Sequence, residues 1–134
     1  MLWSKEGCKR QLPHADYTYS VLHNAAKDGM RDRELPLSAM LALEDCTLDV
    51  WPGALNLRKK DPSKPGVEGM LVKLKKGQLL IFRGDLVHAG SAYASSNFRL
   101  HFYLDHPGCS RVSNSTAYAD SNKGAESKFV AIKA

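Results

Sequence analysis

The chain has 134 residues and a formal charge of +5, with 43% hydrophobic and 25% charged residues. That length suits one domain, burying roughly 65–70% of the surface its unfolded form exposes, and the mix of residue types excludes a disordered tail, a collagen-like repeat and a coiled coil. No apolar run approaches the ~20 residues that span a bilayer, and the opening MLWSKEGCKR lacks the apolar stretch of a secretory signal.

Short apolar runs separated by turn residues predict a chain made mostly of strand. In order, the runs are 14–20 (HADYTYS), 37–44 (LSAMLALE), 47–51 (TLDVW), 70–75 (MLVKLK), 78–82 (QLLIF), 86–89 (LVHA) and 97–104 (NFRLHFYL). One modest helix is expected over 21–31, its last turn weakened by Gly29. Turn signals fall at Trp51-Pro52-Gly53, Lys76-Gly77, Arg83-Gly84-Asp85 and His106-Pro107-Gly108. The charged segment 56–68 reads as an exposed loop, and the polar stretch after 108 as a loosely packed tail. Many short strands with tight turns and little helix define a mainly all-β fold, a β-sandwich or a jelly roll. Residues 1–108 then form the domain and 109–134 the tail.

Cys8, Cys46 and Cys109 are odd in number, far apart and without a CxxC pair. They read as reduced structural thiols and point to a cytoplasmic compartment. The mild basic balance favours anionic partners in general, a small dicarboxylate included, without singling out nucleic acid. Arg58, Lys59, Lys60 and Lys64, with Lys73, Lys75 and Lys76, either meet phosphate or form a solvated loop and a charged edge strand.

Three fragments carry chemistry. In His14-Ala15-Asp16, read as strand, an imidazole and a carboxylate at i and i+2 project to one face. Thr18 continues that face. In Gly84-Asp85-Leu86-Val87-His88-Ala89-Gly90, a tight turn feeds a short strand bearing His88. In 97–104 the residues alternate strictly: Phe98, Leu100, Phe102 and Leu104 on one face, Arg99, His101 and Tyr103 on the other. The apolar face is expected to pack on a second layer and the polar face to look at solvent or into a cavity. A buried arginine there needs an anion, either an internal carboxylate or a ligand. Taken together, two histidines and one carboxylate match the facial set that suits non-haem Fe(II).

His14-x-Asp16, His88 seventy-four residues on and Arg99 eleven further resemble the Fe(II)/2-oxoglutarate-dependent oxygenases, phytanoyl-CoA-dioxygenase-like in style. Leu48-Asp49-Val50-Trp51-Pro52-Gly53 and Lys76-Gly77-Gln78-Leu79-Leu80-Ile81-Phe82 resemble supporting segments of that branch. The resemblance covers about residues 11–104 and implies a double-stranded β-helix, a jelly roll, with one or two short helices. It implies that His14, Asp16 and His88 hold Fe(II) and act in catalysis, and that Arg99 pairs with the distal carboxylate of 2-oxoglutarate. O2 would be consumed, succinate and CO2 released, and a small-molecule, lipid-like or peptidyl substrate hydroxylated, with ascorbate a candidate reductant. His101, where many relatives carry a small hydroxyl residue, either donates to the co-substrate or fills the cavity, and Tyr103 sits one step further along. Thr18, Asp49 and Trp51 are candidates for the substrate pocket, a core role being the plainer reading of Trp51. Residues 1–13 supply one strand at most, so the chain reads as a trimmed form or a piece of a longer protein. Nucleic-acid demethylases of the same chemistry carry a second arginine in an RxNxxxR run, and Arg99 is followed here by LHFYLD, which argues against a nucleic-acid substrate. The alternatives are a jelly-roll module that binds metal or ligand without turnover, or an inactive remnant of an oxygenase.

Overall fold

In a computed structural model of the chain, residues 1–18, 20–22, 35–53 and 68–105 are described. Their strands are β1 Leu2–Ser4, β2 Leu37–Ala42, β3 Cys46–Trp51, β4 Met70–Leu74, β5 Leu79–Arg83, β6 Val87–Gly90 and β7 Asn97–Leu104. They form two antiparallel sheets, one ordered β1-β7-β2-β5 and the other β4-β3-β6. The protein is thus mainly β, and β2 to β7 fall on the six runs expected from residue 37 onward. Gly53 (φ 72°) and Gly77 (φ 85°) take the left-handed conformation that side chains disfavour, as the turns after β3 and between β4 and β5 require. The second turn is pinned to the β2–β3 corner: Gly77 N–H donates to Ala42 O (2.7 Å) and Lys76 N–H to an Asp45 carboxylate oxygen (2.9 Å).

The expected strand over 14–20 is corrected. Only His14 pairs, in a single bridge to His88, and the chain bends at Asp16 and Tyr17. Residues 20–22 are helical because Thr18 caps them. Its carbonyl accepts from Leu22 N–H (3.1 Å), and its hydroxyl accepts from Val21 N–H at 3.4 Å. A capping threonine competes successfully with the strand pattern. The rest of the 21–31 helix, the loop at 56–67, the turn at 106–108 and the 109–134 tail lie outside the described residues.

An apolar cluster of Met40, Ala42, Cys46, Leu48, Val50, Leu74 and Phe82 fills one part of the space between the sheets. The facing of β7 also needs correction. Arg99 is 4% exposed, whereas Phe102 and Leu104 are 43% and 46% exposed. The polar face of β7 therefore looks inward and the apolar face outward, where Trp3 stacks on Phe98 (6.2 Å) and Leu79 and Ile81 of β5 are also exposed.

Candidate metal centre

Two imidazoles and a carboxylate meet between the sheets. The His14–His88 bridge, with N–H to O distances of 2.9 and 2.8 Å, sets the two histidines side by side, ring centroids 4.6 Å apart. Each ring is tied at Nδ1 to the carbonyl two residues earlier: His14 to Leu12 O (2.9 Å) and His88 to Leu86 O (3.0 Å). A carbonyl only accepts, so Nδ1 carries the proton and Nε2 the lone pair a cation needs. Asp16, two residues past the bridge, brings Oδ1 to 3.6 Å from His88 Nε2. All three residues are buried, and one ligand atom from each lies within 4.8 Å of the others.

The electrostatics suit a cation. Burial alone would raise the Asp16 carboxyl, but the hydrogen bond from His101 and the neighbouring imidazoles hold it well below the ordinary range. Burial pushes His88 down to about 4, against the pull of Asp16. At neutral pH the cluster is a carboxylate beside a neutral imidazole, the protonation state a metal requires.

Arg99 lines the same cavity. Its Nη1 donates to Asn97 Oδ1 (2.9 Å) and its Nη2 to Ser4 Oγ (2.8 Å), and the guanidinium lies 5.1 Å from the centre of the Tyr93 ring. Among the described residues no carboxylate pairs with it. Two of its five N–H groups are used in these bonds, leaving three for an anion.

The other candidates separate. His101 lines the cavity but turns its Nε2 to Asp16 Oδ2, 3.1 Å away. Tyr103 also lines it, edge-on to His101 at 4.8 Å. Thr18 is the helix cap and does not line the cavity, because the strand face expected to carry it is broken at the bend. Asp49 pairs with Ala89 and Trp51 with Val87, one residue out of step with the inward-facing His88, so both lie on the far side of that sheet. There Asp49 accepts from Ser91 Oγ (3.1 Å) and approaches Arg10 (3.9 Å), while Trp51 packs with Val87 and Ala89 under Arg10.

Sequence reasoning missed the supports. Asn97 shares the face of Arg99 two residues on, so strand alternation could have found it. Ser4, Tyr93 and Gln11 reach the site through β1, the β6–β7 connection and the run before His14, and no local pattern marks them. The cavity itself is about 30 Å³, room for an ion and a water or two.

Fold and donor set together define a class: a two-sheeted β protein with a buried two-histidine, one-carboxylate cluster that could hold a metal ion. Comparison with models of known families and with curated proteins found no match. Among the described residues Cys8 and Cys46 are free thiols, and no helix is long and apolar enough to cross a membrane.

Proposed function

We propose that the protein is an Fe(II)- and 2-oxoglutarate-dependent oxygenase that hydroxylates a small-molecule, lipid-like or peptidyl substrate in a reducing, cytoplasmic setting. The observation that carries this reading is the pairing of the buried His14, Asp16 and His88 cluster with a buried guanidinium, Arg99, on the wall of the same cavity. The donors fit a ferrous ion: two imidazoles with Nδ1 tied back and one ionised carboxylate, a set that leaves coordination positions open. Bound iron would supply the activation of O2. The chain's own part is to hold the ion through His14, Asp16 and His88 and to orient the co-substrate through Arg99. Leu2, Met40, Leu48 and Phe82 wall the cavity and limit water.

Strand order supports a double-stranded β-helix. Counting the His14 bridge as an edge strand beside β6, the chain passes from one sheet (β1) to the other (His14), back (β2), across (β3, β4), back (β5), across (β6) and back (β7). Two interleaved four-stranded sheets are the jelly-roll pattern.

The test is anaerobic loading with Fe(II), then 2-oxoglutarate, ascorbate and O2, with succinate measured. Succinate is expected from the wild type and not from His14→Ala. Folded protein that binds neither metal nor 2-oxoglutarate overturns the reading. The small cavity favours a second reading, a metal-binding module without turnover, because a five-carbon dicarboxylate must displace side chains to enter. Metal uptake with no succinate would select it.

A further inference from the structure

The contact between His101 and Asp16, which helps keep the carboxylate ionised, also bears on how that carboxylate is oriented. Asp16 lies in a bend, not in a strand, so no ladder fixes the direction of its side chain. His101, by contrast, stands on β7 paired to β2, opposite Met40, with Tyr103 edge-on at 4.8 Å and Phe82 at 6.3 Å. The rigid residue holds the loose one. Asp16 Oδ2 is 3.1 Å from His101 Nε2, while Oδ1 is 3.6 Å from His88 Nε2, on the side of the other ligand atoms. The two oxygens of one carboxylate are thus divided between two tasks.

We propose that His101 is a positioning residue: its Nε2–H holds Asp16 Oδ2, so that Oδ1 alone is presented to the cation. An ionised carboxylate only accepts, so the proton of this bond sits on His101 Nε2. That nitrogen, with its proton engaged by Asp16, then cannot be a fourth ligand. A carboxylate with one oxygen held binds through the other, which keeps one more coordination position open than a bidentate carboxylate does. Ser38 stands behind the same carboxylate on β2. Its wholly buried hydroxyl favours the ionised form of Asp16 without reaching the geometry of a hydrogen bond. Among the described residues, the side-chain donor within hydrogen-bond distance of Asp16 is His101.

This inference rests on the metal reading above, and the experiment separates the two. Co(II) is titrated into wild type, His101→Gln, His101→Asn and His101→Leu, following both affinity and the visible d–d absorption that reports coordination number. The glutamine amide N–H reaches toward Oδ2; the asparagine amide is too short and leucine has no donor. Loss of such an outer partner costs about 10–100-fold in metal affinity. The expected result is that loss for Leu and Asn with an altered spectrum, and affinity and spectrum near wild type for Gln. Equal binding by all four proteins overturns the role of His101 and leaves the metal centre standing. Equal loss in Gln, Asn and Leu, with unchanged melting of the metal-free proteins, also overturns it, since the donor would then not matter. A wild type that binds no Co(II) overturns the metal reading and this inference with it. Should Leu fail to fold, the contrast between Gln and Asn decides.

Discussion

Arg99→Lys keeps a positive charge and removes the fork, which makes it the sharpest probe of the anion site. In the folded protein the guanidinium is fixed by Asn97 at 2.9 Å and Ser4 at 2.8 Å, so its remaining N–H groups point in a set direction. An ammonium is a point charge on a flexible stem and cannot reproduce two parallel bonds. Exchanging a bidentate charge-assisted pair for a single bond loses about 1.5–3 kcal/mol, which is about 10–100-fold in affinity. The proposed metal ligands lie on other segments, so metal binding should be unchanged. The assay is calorimetric titration of 2-oxoglutarate into Mn(II)-loaded protein under anaerobic conditions, with pyruvate, which lacks the distal carboxylate, as comparison. Wild type should prefer 2-oxoglutarate strongly, and Arg99→Lys should lose most of that preference. If wild type binds the two acids equally, or if Arg99→Lys binds 2-oxoglutarate as wild type does, Arg99 is not the anion site and its burial serves the fold alone.

Three further expectations follow from the same geometry. Mn(II) at 100 times its dissociation constant stabilises the folded form by about 2.7 kcal/mol, a rise in melting temperature on the order of 10 °C for a domain of this size; scanning fluorimetry should show it, and Asp16→Asn should abolish it. Gly84→Ala should destabilise by about 1–3 kcal/mol in urea unfolding, because its Cβ meets the buried Tyr17 ring and Pro36 O at 2.8 Å. Gly90→Ala meets only the end of the Gln11 side chain (2.7 Å) and should cost less. Ile81→Lys, at a position 54% exposed, should leave stability within about 0.5 kcal/mol of wild type and reduce concentration-dependent light scattering, since it breaks the apolar outer face; unchanged scattering would show that this face is not what drives association.

The donors of the candidate site are legible in the sequence because they follow a local pattern. His14 and Asp16 stand two apart, His88 follows a tight turn, and each histidine finds a carbonyl two residues back for its second nitrogen. Arg99, His101 and Tyr103, on one alternating strand, all line the same cavity. Register across the sheet is not legible in the same way. Asp49 and Trp51 share a face, as period-two alternation says, but the pairing of Val50 with His88 turns this face away from the His88 side, where Trp51 is buried with Val87 and Ala89. Thr18 is ambiguous in the sequence for a different reason. Its hydroxyl can cap a helix as readily as it can extend a strand, and Leu22, fully buried, rewards the helix.

The inversion of β7 shows what alternation cannot say. A period of two separates the two faces of a strand and leaves their sign open. An antiparallel sheet with one solvated face ordinarily turns its apolar residues inward, and β7 does the opposite because the inside of this fold is divided. One part is an apolar cluster from Met40 to Phe82, and the other holds Asp16, His88, Arg99 and His101. Phe82 sits at the border, its ring edge-on to His88 at 5.0 Å. Asp16, His88, Arg99 and His101 each face a partner or the cavity, and burying such groups costs stability that apolar side chains would not. A protein whose only task was to fold would gain by exchanging Asp16 and Arg99 for hydrophobic residues of similar volume. Their presence at 3% and 4% exposure is the physical argument behind the proposed cation site and the proposed anion site beside it.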